Sequence, residues 1–128
     1  MNIPAELLYT KTHEWLKELE NGSVRIGLTD YAQHALGDLV FVNLPETGDS
    51  LTLEDSFADV ESVKAVSDVF SPVNGKVEAV NEELLDAPQA INESPYDAWL
   101  VEAGEIAEKG ELITAAEYEK FLEELKED

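Results

Sequence analysis

Lys64 is the residue whose place in this chain most invites chemistry. It is one of seven lysines that, with Arg25, face twenty-nine aspartates and glutamates. It stands at the crest of the most strand-like stretch, FADVESVKAVSDVFS, from Phe57 to Ser71. On one side Phe57, Asp59, Glu61 and Val63 alternate with Ala58, Val60 and Ser62; on the other Ala65, Ser67 and Val69 alternate with Val66, Asp68 and Phe70. Two period-2 runs meeting at a point predict an antiparallel hairpin over about residues 57–71. Val63 and Lys64 would make the turn, without the Gly or Asn that two-residue turns favour. Taken alone, Lys64 is a solvated turn lysine; a broken local rule nonetheless raises a functional question.

Few other groups could do chemistry. The chain has no cysteine, so it has no disulfide, thiol nucleophile or soft metal site. His13 and His34 are the only histidines, a poor basis for a metal site. A carboxylate among so many is by default a solvated surface charge. No Gly-x-Ser-x-Gly, phosphate-binding glycine loop or zinc spacing occurs, and a freestanding enzyme is not expected. The net charge of −21 repels phosphate backbones and anionic lipids, so neither nucleic acid nor membrane is an expected partner. It favours solubility and basic patches on partner proteins. Hydrophobic residues at 44% argue against disorder. No apolar run is long enough to span a membrane. The N-terminus shows neither a secretory nor a mitochondrial targeting pattern, so a cytoplasmic protein is expected.

The elements that must position Lys64 follow from local signals. Glu14–Leu19 and Ser23–Leu28 flank Asn21-Gly22, the strongest hairpin signal in the chain. Thr29 can cap a helix of about two turns that Gly37 closes. Leu39–Leu44 reads as a buried strand stopped by Pro45-x-x-Gly48. Pro72-x-x-Gly75 repeats that spacing before a strand over Lys76–Val80, a hint of duplicated halves. Asn81 can cap a short helical turn through Leu85, residues 86–97 read as loop, and Trp99–Ala103 as the last strand. Trp15 and Trp99 are expected core anchors. Thr114-Ala115-Ala116-Glu117 matches a capping box, and Tyr118, Phe121, Leu122 and Leu125 recur at helical spacing. That predicts a C-terminal helix over about 114–126.

Glu61-Ser62-Val63-Lys64-Ala65, followed by Ser71-Pro72-x-x-Gly75 and Val80-Asn81, resembles the lipoylation segment of the glycine cleavage system H proteins. Thr12-His13-Glu14-Trp15, Gly27-Leu28-Thr29-x-x-Ala32-Gln33, Leu36-Gly37-Asp38, Leu44-Pro45-x-x-Gly48, Ile91-Asn92, Pro95-Tyr96 and Trp99-Leu100 stand in the family's order. Biotin carriers place Met on both sides of their lysine, where this chain has Val63 and Ala65. Lipoyl domains of 2-oxoacid dehydrogenases carry Asp directly before it. Before Trp99 the chain has Asp97-Ala98, where the family commonly has glycine.

The resemblance implies a mainly β fold, a flattened β barrel-sandwich hybrid of the lipoyl/biotinyl-domain type, forming one lipoyl-carrier domain over 1–128. A short helix near 29–36 and the C-terminal helix would be added to it. It implies lipoate covalently attached at Lys64, with Glu61, Ser62, Val63 and Ala65 as the recognition segment. A tight hairpin suits a lysine that a transferase must acylate, because the crest is exposed and the strands hold it. Thr12, Glu14 and Asp68 would line a cleft for the aminomethyl-bearing arm, where a carboxylate can hold a cationic amine away from water. His13 would be structural; His34 has no assigned role. The implied function is a shuttle, not an enzyme, that accepts the aminomethyl group from pyridoxal-phosphate glycine decarboxylase and passes it to the tetrahydrofolate-dependent aminomethyltransferase. Dihydrolipoamide dehydrogenase, and a lipoate ligase or an octanoyl/lipoyl transferase, complete the expected partners of a monomer. A lipoyl relay protein and an unmodified interaction module are the alternatives.

Overall fold

The computed structural model describes residues 1–127; Asp128, the end of the expected domain, lies outside the described residues. The chain runs β1 (Leu8–Tyr9), β2 (Glu14–Glu18), β3 (Val24–Leu28), α1 (Asp30–Leu36), β4 (Leu39–Asn43), β5 (Ser50–Leu51), β6 (Ser56–Ser62), β7 (Val66–Phe70), β8 (Val73–Val80), α2 (Glu83–Asp86), α3 (Ala90–Glu93), β9 (Val101–Lys109) and α4 (Ala115–Glu127). The strands form two antiparallel sheets, a six-stranded one ordered β1-β2-β3-β9-β8-β5 and a three-stranded one ordered β4-β6-β7. Neither closes on itself, as expected for a barrel-sandwich hybrid. No helix among the described residues is long and apolar enough to cross a membrane.

The period-2 pattern decides which side chains enter the core. From β6, Ala58, Val60 and Ser62 point inward and are buried; Val69 of β7 joins them, and from the larger sheet come Leu16, Ile26, Val73, Val77, Val101 and Ala103. Each fully buried aliphatic side chain contributes roughly 1.5–3 kcal/mol. A second cluster of Leu7, Tyr9, Trp15, Tyr118 and Leu122 lies under α4. Tyr9 and Tyr118 stack there with ring centroids 4.8 Å apart. The capping box of α4 is formed as predicted, with the Glu117 amide donating to Thr114 Oγ1 and the Thr114 amide to Glu117 Oε1. Thr29 caps α1 by accepting from the Ala32 amide, and Gly37 ends it at φ +83°.

The β2–β3 turn keeps the expected three-residue loop at 20–22, where the Leu19 amide donates to the Ser23 carbonyl at 2.8 Å and Gly22 lies in the left-handed region at φ +87°. Several other boundaries depart from the sequence pattern. β4 is not a buried strand: a bulge between Leu39 and Phe41 turns both Val40 and Phe41 outward on a sheet edge. Gly75 lies inside β8 rather than at a turn, against the Gly104 carbonyl on β9, where a side chain would collide. Residues 86–97 contain α3, held by the fully buried Ile91. The α2 turn closes through the Asn81 carbonyl rather than its side chain. The last strand continues to Lys109, because bulges let β9 follow β8 along its whole length.

Gly27 faces the Trp15 indole so closely that a Cβ would sit 2.5 Å from its ring carbons. Trp15 cannot yield readily, since its Nε1 donates to the Pro95 carbonyl at 3.1 Å. Gly27→Ala is therefore expected to destabilise the fold by about 1–3 kcal/mol, the usual cost of overpacking, as read by denaturant unfolding; an unchanged midpoint would contradict this packing.

Candidate functional site

The hairpin that carries Lys64 is built from the β6–β7 register Asp59↔Asp68, Val60↔Ser67 and Glu61↔Val66. Its crest, Val63 and Lys64, is exposed. Neither crest residue has a positive φ, which removes the need for Gly or Asn. Ser62 makes the turn instead. Its amide donates to the Ala65 carbonyl at 2.7 Å. Its buried Oγ accepts the amides of Lys64 at 3.2 Å and Ala65 at 3.0 Å. A side-chain oxygen thus stands in for the backbone acceptor of an ordinary two-residue turn. The Val63 amide donates to the Asp38 carbonyl at 3.0 Å, tying the crest to the α1–β4 corner.

Beyond the other end of β7 lies a cavity of about 390 Å³ whose walls include Thr10, Thr12, Glu14, Phe70, Pro72 and Gly110. Glu14, at the start of β2, is only 1% exposed. Its Oε1 accepts from Thr10 Oγ1 at 2.6 Å and Thr12 Oγ1 at 2.5 Å, and its Oε2 from the Phe70 amide at 3.4 Å. No lysine or arginine among the described residues pairs with it; Lys11, on the rim, pairs with Glu111 at 3.1 Å. Burial raises the Glu14 carboxyl above the ordinary glutamate range, against the opposing pull of those donors. A buried carboxylate held by neutral donors alone offers an unused attraction for a cation.

His13 shapes the cavity without entering it. It adopts φ +74°, so Thr12 and Glu14 flank a tight loop in which the His13 amide donates to the Thr10 carbonyl. Its Nδ1 lies 2.8 Å from the Tyr118 hydroxyl, which lies 2.8 Å from Thr29 Oγ1. Burial lowers the His13 imidazole below the ordinary histidine range.

The structure brings Thr12 and Glu14 together. Asp68 lies outside the cavity wall, exposed, on the same face of β7 as Phe70 and between it and the crest. Glu61, Val63 and Ala65 are exposed around Lys64, while Ser62 is buried beneath it. Sequence reasoning missed Thr10 and the Phe70 amide; the position of Thr10 two residues before Thr12 was the available signal. Trp15 is a buried anchor, whereas Trp99 is only partly buried, with the Arg25 guanidinium 4.8 Å above its ring. His34 is exposed on α1, and no metal-binding cluster is present among the described residues.

Two facing antiparallel sheets that raise a lysine on a braced hairpin define a barrel-sandwich hybrid of the lipoyl/biotinyl type, a class of carrier rather than catalyst. The glycine cleavage H-protein family matches residues 7–125. The chain is 55% identical over 122 residues to a glycine cleavage system H protein of Lachnoclostridium phytofermentans, covering 95% of this chain and 96% of that one. It is 50% identical over 127 residues to that of Oceanobacillus iheyensis, covering 97% and 100%. The crystal structure of a glycine cleavage system H protein from Mycobacterium marinum superposes with a TM-score of 0.87 at 41% identity, covering 92% of this chain and 97% of that one. The chain belongs to the glycine cleavage H-protein family, the non-catalytic lipoyl carriers of the glycine cleavage system.

Two measurements follow. The folded Glu14 carboxyl holds its proton more tightly than an unfolded one, so its contribution to stability is full below the unfolded value of about 4.3. That contribution is lost as pH rises through the higher folded value. His13 acts in the opposite sense: its contribution is present above about 6.5, its unfolded value, and is lost as pH falls through the lower folded one. Glu14→Gln should remove the acid slope, so urea unfolding of wild type and variant should diverge from about pH 4.3 upward, against the wild type; parallel curves would refute the burial effect. Ser62→Ala should cost about 1 kcal/mol and speed amide exchange at Lys64 and Ala65, measured by NMR.

Proposed function

We propose that Lys64 carries lipoate and that the chain, as one lipoyl-carrier domain over 1–128, takes an aminomethyl group from glycine decarboxylase to the tetrahydrofolate-dependent aminomethyltransferase. The residues present fit the group. Lys64 is exposed on a turn held by Ser62 and forms no salt bridge among the described residues. The cysteine-free chain has no thiol of its own. When bound, lipoate supplies the dithiol–disulfide chemistry, which dihydrolipoamide dehydrogenase resets. In the recognition segment Glu61, Ser62, Val63 and Ala65, a lipoate ligase or an octanoyl/lipoyl transferase would read the exposed Glu61, Val63 and Ala65 directly and Ser62 through the turn it shapes when it acylates Lys64. In a cytoplasmic monomer the crest is open to each partner in turn.

The observation that carries this reading is the buried Glu14, paired with no lysine or arginine among the described residues, on the sandwich that presents Lys64. Glu14 accepts the hydrogen bond of a primary ammonium. Thr10 and Thr12 fix Oε1, and the Phe70 amide fixes Oε2. Leu53, Phe70 and Pro72 line the cavity and shield that ammonium from water. Asp68 offers a second carboxylate on the outer face of β7, between crest and cavity.

Intact mass with peptide mapping on protein from its native cell tests the proposal. One lipoyl group on the peptide containing Lys64, absent from Lys64→Arg, is the expected result. An unmodified Lys64 in lipoate-replete cells would refute it. In the carrier cycle, Glu14→Gln should leave acylation unchanged but speed loss of the loaded group to water by about tenfold, the equivalent of about 1.4 kcal/mol of charge-assisted bonding.

A further inference from the structure

Asn92 occupies a place that the carrier reading leaves unused. It lies on α3, directly after Ile91, which is fully buried in the core. Its Oδ1 accepts the Leu39 amide at 2.9 Å; its Nδ2 donates to the Gly37 carbonyl at 2.8 Å and to Gln33 Oε1 at 3.0 Å. Three of its four hydrogen-bonding sites are therefore spent on the α1–β4 corner. The two backbone partners flank Asp38, one on each side. The Asp38 carbonyl is the acceptor for the Val63 amide at 3.0 Å. Lys64 lies over the same corner: a Cβ on Gly37 would sit 3.5 Å from Lys64 Cε. Gly37-Asp38, Ile91-Asn92 and Val63-Lys64 are far apart in the chain and converge on one spot.

We propose that Asn92 is a positioning residue for acylation of Lys64: by gripping both sides of Asp38 it fixes the carbonyl that holds Val63, and so sets the angle at which the crest offers its lysine. The inference rests on the reading of Lys64 as the acylated residue. A short hairpin crest held only by its own strands rocks about them. The Asp38 contact joins the crest to the core through Asn92 and Ile91 and removes that freedom. The acylating enzyme then meets one orientation of the crest backbone from which the flexible lysine stem extends, rather than many, which is an orientation effect on the rate step.

The experiment uses the full-length apo protein with a purified lipoate–protein ligase, lipoate and ATP. Asn92→Ala should lower kcat for acylation about five- to tenfold, the loss of about one hydrogen bond's orientation, while KM moves less than about twofold because the exposed recognition residues are untouched. Exchange at the Val63 amide should quicken while core amides such as Val60 and Val69 keep their protection, a pattern that general destabilisation would not give. Val63→Pro removes the same bond from the other end, at an exposed position whose φ is not positive and whose predecessor lies in β6, a setting that tolerates proline. It should therefore fold even where Asn92→Ala does not. Because Val63 itself belongs to the recognition segment, KM moves with it and only kcat is compared. The two substitutions should be non-additive, the double variant losing no more than the worse single. Multiplying effects, or an unchanged kcat in Val63→Pro, would overturn the proposal while acylation of the wild type upheld the Lys64 reading. A wild type that takes no lipoate at Lys64 would overturn both.

Discussion

A carboxylate cannot leave water without donors to meet it, and the first third of this chain is shaped by that requirement at Glu14. Two hydroxyls and a backbone amide converge on its oxygens. To deliver the hydroxyls, the chain doubles back between Thr10 and Glu14, which forces His13 into the left-handed region. That costly conformation persists because the surroundings over-determine it: the His13 carbonyl accepts the Thr29 amide and its ring meets Tyr118. Tyr118 is itself fixed by stacking on Tyr9 and by Thr29. The C-terminal helix is thus as much a part of the Glu14 site as the strand that bears it.

The hairpin solves the opposite problem, keeping a side chain in water while holding the backbone that bears it. Inward Ala58, Val60, Ser62 and Val69 lock the two strands to the core. At the tip, where packing ends, polar contacts take over through Ser62 Oγ and the Asp38 carbonyl. β7 joins the two regions, beginning next to the crest and ending at the Phe70 amide that serves Glu14.

The parts legible in the sequence were those written in local pattern. The period-2 runs around Lys64, the Asn21-Gly22 turn, the Thr29 cap and the Thr114–Glu117 capping box each lie within a few residues and were found where the pattern placed them. What escaped were contacts between distant side chains and backbone. Thr10 serves Glu14 through a loop whose shape depends on His13, and Asn92 reaches Gly37 and Leu39 across more than fifty residues; neither leaves a periodic trace. Long strands misled for a related reason. β9 runs through Gly104 and Glu105, which interrupt alternation, and its continuation depends on bulged pairing with β8. Val40 and Phe41 read as core because hydrophobicity marks burial only when the pleat is regular, and the β4 bulge breaks it.

The Ser62 turn separates what the tip is from how the tip folds. In a hairpin whose turn demands left-handed backbone, the residues at the summit are chosen by conformation, and little besides glycine or asparagine is welcome. Here that demand has moved one position down the strand, onto a buried hydroxyl. The two summit positions are left with ordinary backbone angles and open surroundings. Their side chains are therefore free to be selected by whatever must recognise or modify them. A protein engineer who kept the serine and its alanine partner could replace the summit pair with other chemistry and leave the scaffold undisturbed.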